Sequence, residues 1–212
     1  MTKFIHLVIL RCWTKVMMDK KERIIEAAIS LFARYGIRKT TIDEIARNAQ
    51  VGKGTIYLYF KNKEDIFAST LRQVTTEMIE ALQEAVENGT SVTAQLKSLI
   101  LTRFRTGEEK FKLFNIPEET RMEVVGYTKM HPNLFKEIKT YMVKERALIA
   151  SILQAGVDRG ELEIENIPLI AVAISNALQT VDHAWDFEGE DIAIEYKTEL
   201  MVKLFIEGMK KR

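Results

Sequence analysis

The chain has 212 residues, enough to bury one large core or two small ones, and 29% of them are charged. Three prolines, ten glycines and a single cysteine, Cys12, suit a helix-rich protein and exclude an intrachain disulfide framework. The formal charge of +1 hides an asymmetry, because residues 1–72 carry 14 Lys+Arg against 7 Asp+Glu while residues 73–212 carry 17 against 23. A head of +7 on a body of −6 is the pattern expected when one domain meets nucleic acid and the other does not.

In chain order, residues 1–18 come first, as an N-terminal extension. Phe4–Leu10 is a mostly apolar run with His6 inside it, far too short for a membrane span, so no membrane is expected as a partner. Lys3 ahead of that run resembles a secretory signal faintly. Arg11 and Trp13, however, stand where small cleavage-site residues are required. Two readings stay open: an extra helix laid on the surface, or an extension upstream of a start at Met17 or Met18. The lone cysteine fits a reducing cytoplasm, where the chain is expected to work.

From Asp19 to Tyr35, Ile24, Ala28, Leu31, Phe32 and Tyr35 recur at helix spacing, and Gly36 is the expected C-cap. Arg38 and Lys39 follow in the turn. Next, Thr41 and Glu44 form the Thr-x-x-Glu capping pattern ahead of a helix with Ile42, Ile45, Ala46 and Ala49 on one face. Val51 and Gly52 turn the chain into a helix of barely two turns, Gly54–Phe60. Ile56 and Phe60 can point inward there, but Lys53, Thr55, Tyr57 and Tyr59 cannot all be buried. A short helix showing an ammonium and three hydroxyls suits contact with base edges and phosphates. Gly54 has no side chain to hold the backbone off a duplex, and Lys61 and Lys63 supply point charges beyond it.

Asn62 reads as the N-cap of a long helix with Phe67, Leu71, Val74, Met78 and Leu82 on one stripe, ending near Asn88-Gly89. Further helices are predicted near 91–106, 117–128, 132–157, 167–186 and 190–210. Pro117, Pro132 and Pro168 sit near starts, and Gly107 and Gly160 mark ends. No alternation is sustained enough for a sheet, so the fold class is all-α. His6, His131 and His183 are scattered and Cys12 stands alone, so neither a metal nor a cofactor is expected.

In the helix from Ile167, the residues Ile170, Ala171, Ile174, Leu178, Val181 and Trp185 make one stripe, with a second row through Ala173 and Ala177. The last helix carries Ile194, Met201, Phe205 and Met209 beside Tyr196, Leu200 and Leu204. Apolar character wider than one stripe suggests burial on two sides. The two helices read as half of a four-helix homodimer interface centred on Ile170, Ile174, Ala177, Leu178, Val181, Trp185, Met201, Leu204 and Phe205. The alternative is an internal hairpin of a monomer. Gln179, Asp182 and His183 interrupt the first helix; they could orient a ligand, bond across a dimer or face solvent.

The run Ala28-x-x-Leu31-Phe32-x-x-x-Gly36, Thr40-Thr41-Ile42-x-x-Ile45-Ala46, Ala49-x-Val51-x-x-Gly54-Thr55-Ile56-Tyr57-x-Tyr59-Phe60 and Lys61-Asn62-Lys63-Glu64-x-Ile66 closely resembles the DNA-binding segment of TetR (tetracycline-repressor-like) transcriptional regulators. The likeness spans roughly residues 20–67; the rest agrees only in being helical and of suitable length. It implies a three-helix helix-turn-helix domain over 19–66 and a ligand-binding and dimerisation bundle over 67–212. The long helix from Asn62 is expected to carry a signal between them.

With that resemblance, Lys53, Thr55 and Tyr57 are expected at bases or adjacent phosphates, and Thr40, Thr41, Tyr59, Lys61 and Lys63 along the backbone. Two such helices would enter successive major grooves of a palindromic double-stranded operator roughly 34 Å apart. The bundle is expected to hold a small apolar or amphipathic effector. Phe104, Phe111, Phe114, Met122, Tyr127, Phe135, Tyr141, Met142, Gln179 and His183 are candidate lining residues. The chain then reads as a ligand-released repressor and not an enzyme. The competing classes are an architectural DNA binder without ligand and a small helical enzyme. The latter would need a nucleophile–base pair or paired carboxylates in a cleft, and Glu108-Glu109 and Glu118-Glu119 read more simply as solvated faces.

Overall fold

A computed structural model describes residues 19–113, 131–184 and 192–210, with backbone alone at 111–113 and 180–184. The described residues form α1 (Lys20–Lys39), α2 (Ile42–Asn48), α3 (Lys53–Tyr59), α4 (Lys63–Glu87), α5 (Val92–Leu113), α6 (Pro132–Asp158), α7 (Ile167–Ala184) and α8 (Ile194–Met209). Among them there is no strand, only an isolated bridge between Leu162 and Lys210. The expected extension 1–18 and the helix predicted near 117–128 lie outside the described residues.

The chain divides into two units at Thr70/Leu71, within α4, which runs unbroken from one into the other. In the first, α1 to α3 and the start of α4 close over Ile24, Ala28, Phe32, Ile45, Ile56 and Phe60, all buried. Phe32 meets Phe67 edge to face at 5.3 Å. Gly36 ends the regular part of α1 as expected, with a left-handed φ of 76° that costs glycine little.

The second unit packs α6 on α7 and α5 on both α6 and α8. Its core runs from Leu82 of α4 through Leu96 and Ile100 of α5 and Ile149 and Leu153 of α6 to Ile174 and Leu178 of α7. Asn62, Ser91 and Asn166 cap α4, α5 and α7, each side-chain oxygen accepting a backbone N–H three residues on. Two sequence expectations need correction. Gly107 does not end α5, which continues to Leu113, because an isolated glycine costs a helix only about 1 kcal/mol. The last helix starts at Ile194 rather than near 190. Gly156 of α6 is tightly enclosed: a Cβ there would lie 2.6 Å from Val92 Cγ2 of α5 and 2.9 Å from Leu162 Cδ1.

Arg103 of α5 is buried in this core with its Nε 2.7 Å from Glu145 Oε1 of α6. Glu145 also accepts from Tyr141 Oη at 2.8 Å and from Ser175 Oγ at 2.7 Å, while Arg103 Nη1 donates to the Leu178 carbonyl at 3.2 Å. The buried carboxylate is thereby answered by three helices, as a buried charge must be.

Candidate nucleic-acid interface

The helix-turn-helix is set by local chemistry. Thr41 Oγ1 accepts the Glu44 N–H at 3.3 Å, and Glu44 Oε2 accepts the Thr41 N–H at 2.8 Å, completing the capping box. The Thr41 N–H first, and then the Thr41 hydroxyl, which also donates to Glu44 Oε2 at 2.8 Å, hold the Glu44 carboxyl below its usual range. The chain turns through residues 49–52, and within that turn Gln50 takes the left-handed conformation, with φ 53°. Arg23 of α1 steadies it by donating to the Ala49 carbonyl at 2.6 Å and the Gln50 carbonyl at 3.4 Å, a cation on the C-terminal end of α2. Sequence reasoning missed Arg23, because nothing local marks a bond spanning 26 residues.

α3 presents a wide free face. Ile56 and Phe60 are buried beneath it, while Tyr57, Leu58 and Tyr59 are 51%, 82% and 38% exposed. Thr55 is half-buried, Lys53 and Gly54 are exposed, and a Cβ on Gly54 would meet nothing within 4 Å. Lys53 Nζ is 2.9 Å from Asp43 Oδ2 on α2, and the hydrogen bond and charge of Asp43 hold the ammonium above the usual lysine range. Arg38, Lys39, Arg47 and Lys61 stand exposed around α3 in sequence. A seven-residue helix with tyrosine, lysine and bare glycine outward, among exposed cations, can reach base edges and phosphates together.

Two expected phosphate contacts are occupied elsewhere. Thr40 is 1% exposed, and its hydroxyl lies 2.9 Å from the Gly36 carbonyl and 3.3 Å from that of Leu31. It closes the end of α1 instead. Lys63 Nζ donates to the Thr40 carbonyl at 2.9 Å and the Arg38 carbonyl at 3.2 Å, tying α4 to that same end. Thr41 is exposed but engaged in its cap, and Lys61 is exposed. Leu58, the most exposed of the group, was missed. It lies two residues, or about 200°, around the helix from Ile56, which was signal enough to place it outward.

In the second unit, the candidate effector residues scatter. Phe104 is buried in the core, Tyr141 packs against that core, and Met142 and Gln179 are half-buried. Phe135 is exposed, so its ring does not line the interior in this structure. Gln179 Nε2 is buried with no hydrogen-bond partner. Phe114, Met122, Tyr127 and Trp185 lie outside the described residues, as do the side chains of Phe111, Val181 and His183.

The expected dimer residues divide as well. Ile174, Leu178 and Met201 face the core, a correction. Ile170, Ala177 and Phe205 are half-buried, and Leu204 is exposed. The exposed large apolar side chains of these two helices are Leu169 on α7 and Tyr196, Leu200 and Leu204 on α8. Among the described residues no group of three His, Cys, Asp or Glu could hold a metal ion, and no helix is long and apolar enough to cross a membrane.

Fold and site together define a helix-turn-helix DNA-binding regulator with a second, helical unit. The family model of bacterial regulatory proteins of the tetR type matches residues 24–70. The HTH-type transcriptional repressor BepR of Brucella suis is 30% identical over 151 residues, covering 69% of this chain and 70% of that protein. The chain belongs to the tetR family. YhgD of Bacillus subtilis, an uncharacterized HTH-type transcriptional regulator, is 44% identical over 70 residues, a match spanning 33% of this chain and 37% of that one. The fold also matches the transcriptional regulator FadR of Bacillus subtilis in complex with stearoyl-CoA. Its TM-score is 0.66 at 22% identity, with 88% of this chain and 98% of that one covered.

Proposed function

We propose that the chain works in the cytoplasm as a homodimeric repressor. It binds a palindromic operator through residues 19–66 and is released by an amphipathic small molecule held within residues 67–212. The observation that carries this reading is the free face of α3, where Tyr57 and Tyr59 stand out of their own fold on a basic segment. Lys53, Gly54, Thr55 and Tyr57 address bases and adjacent phosphates, and Thr41, Tyr59 and Lys61 the backbone. Tyr196, Leu200 and Leu204 along α8 supply an uncovered apolar row for the partner subunit, and Leu169 of α7 is exposed as well. An effector acts only by its differential affinity for the DNA-bound and free shapes, about 1–3 kcal/mol in typical cases. Because α4 belongs to both units, it is the element through which that difference is transmitted.

FadR's complex with stearoyl-CoA makes long-chain acyl thioesters the first effector class to test. The purified chain is mixed with fragmented genomic DNA from its source at low salt, and the retained fragments are titrated with stearoyl-CoA. Retention of specific fragments and their release by the thioester are the expected results. Failure to retain any fragment sinks the repressor reading. Retention that stearoyl-CoA leaves unchanged sinks the acyl-thioester class alone.

A further inference from the structure

Leu58 is the most exposed large apolar side chain among the described residues, at 82%. It sits on the side of α3 away from the buried Ile56. Gly54 lies four residues earlier on the same line, and a Cβ there meets nothing within 4 Å. The ridge of α3 farthest from the core is therefore bare backbone at one turn and an isobutyl group at the next. Its flanks differ in kind. Lys53 and Tyr57 carry an ammonium and a phenol on one side, and Thr55 and Tyr59 carry hydroxyls on the other. Those four groups can answer phosphates and the donors and acceptors of base edges. Leu58 can answer none of them.

In the major groove, the apolar group that base edges present is the C5-methyl of thymine. Resting on the reading of α3 as the helix that enters the groove, the geometry points to Leu58 as a specificity-determining residue that covers a thymine 5-methyl in each half-site. Gly54 lets the helix axis come close enough for that contact. The exposed cations that flank α3 in sequence, Arg38, Lys39, Arg47 and Lys61, favour a polyanion over an apolar protein partner for this unit.

The test uses the full chain to select a bound duplex from a random pool. Each thymine of the selected duplex is then replaced in turn by deoxyuridine, which deletes the methyl and keeps the pairing edge. One position per half-site is expected to weaken the wild type by about fourfold, the worth of one buried methyl group. The Leu58→Ala variant, its fold checked by circular dichroism, is expected to be indifferent to that same replacement. A tightly bound duplex on which both proteins respond alike at every thymine overturns the role of Leu58 and leaves α3 as the reader. A pool from which no sequence is enriched overturns the regulator reading beneath it as well.

Discussion

Lys53 Nζ lies 2.9 Å from Asp43 Oδ2, so the cation expected to meet DNA is held, in the free protein, by the helix before it. Both side chains are more than half exposed, and such a pair is worth little to stability. It matters for binding instead, because Asp43 both competes with phosphate for Lys53 and adds a negative charge close to the duplex. Asp43→Asn is expected to tighten DNA binding, and Lys53→Ala to weaken it by about 1–3 kcal/mol if Lys53 reads a base. Fluorescence anisotropy across a salt series checks both. Loss of one phosphate contact should flatten the log–log slope by roughly 0.9. Weaker binding by Asp43→Asn would show that the carboxylate positions Lys53 rather than restrains it.

Buried charge gives the second prediction. Arg103→Met alone leaves the Glu145 carboxylate in the core with Tyr141 and Ser175 as its hydroxyl donors. The loss expected is about 3–5 kcal/mol in urea unfolding. The double replacement Arg103→Met with Glu145→Met removes both charges and should recover most of that loss. Additive losses would mean that the two residues act independently.

The capping box gives the third. Thr41→Ala should destabilise the DNA-binding unit by about 1 kcal/mol, as lost N-caps do. Its pH dependence has a definite sign. The Glu44 carboxyl is held below its ordinary value, so its contribution is present above the ordinary carboxylate range and lost as pH falls through the lowered value. Thermal unfolding of wild type and Thr41→Ala should therefore converge on acidification. A gap that stays constant down the acid limb would contradict the assignment.

The exposed apolar row of α8 gives the fourth. Leu204 is 63% exposed, so Leu204→Glu should leave the subunit folded while abolishing self-association. Sedimentation measures the mass, and operator affinity should collapse with the loss of paired half-sites. Leu178→Glu, which buries its charge inside the subunit, should unfold the protein instead. A Leu204→Glu variant that remains a dimer places the interface elsewhere.

What could be read from the sequence was what local chemistry decides. The Thr41–Glu44 box, the Asn62 cap and the Gly36 break depend on neighbours within a few residues, and all three are where the sequence puts them. Neighbouring residues with the same side chain were not separable in that way. Thr40 and Thr41 look alike, yet one turns inward on the carbonyls of α1 while the other caps α2. Lys61 and Lys63 look alike, yet only Lys63 reaches back to residues 38 and 40. In α7 and α8 the apolar pattern ran around more than one face. Which face is core was settled by packing, so Ile174, Leu178 and Met201 went inward and Leu204 outward. The turn before α3 was legible from Val51 and Gly52, but nothing in the sequence marked Gln50 as its left-handed residue.

Gly156 has room for a hydrogen and nothing larger, with a methyl of Val92 already inside the radius a side chain would claim. A saturation screen for regulators that no longer answer their inducer will therefore recover this position alongside true ligand contacts. Substitution there wedges two helices apart rather than removing any recognition group. A proteolysis or melting assay run beside the reporter would sort such impostors from genuine sensing mutants.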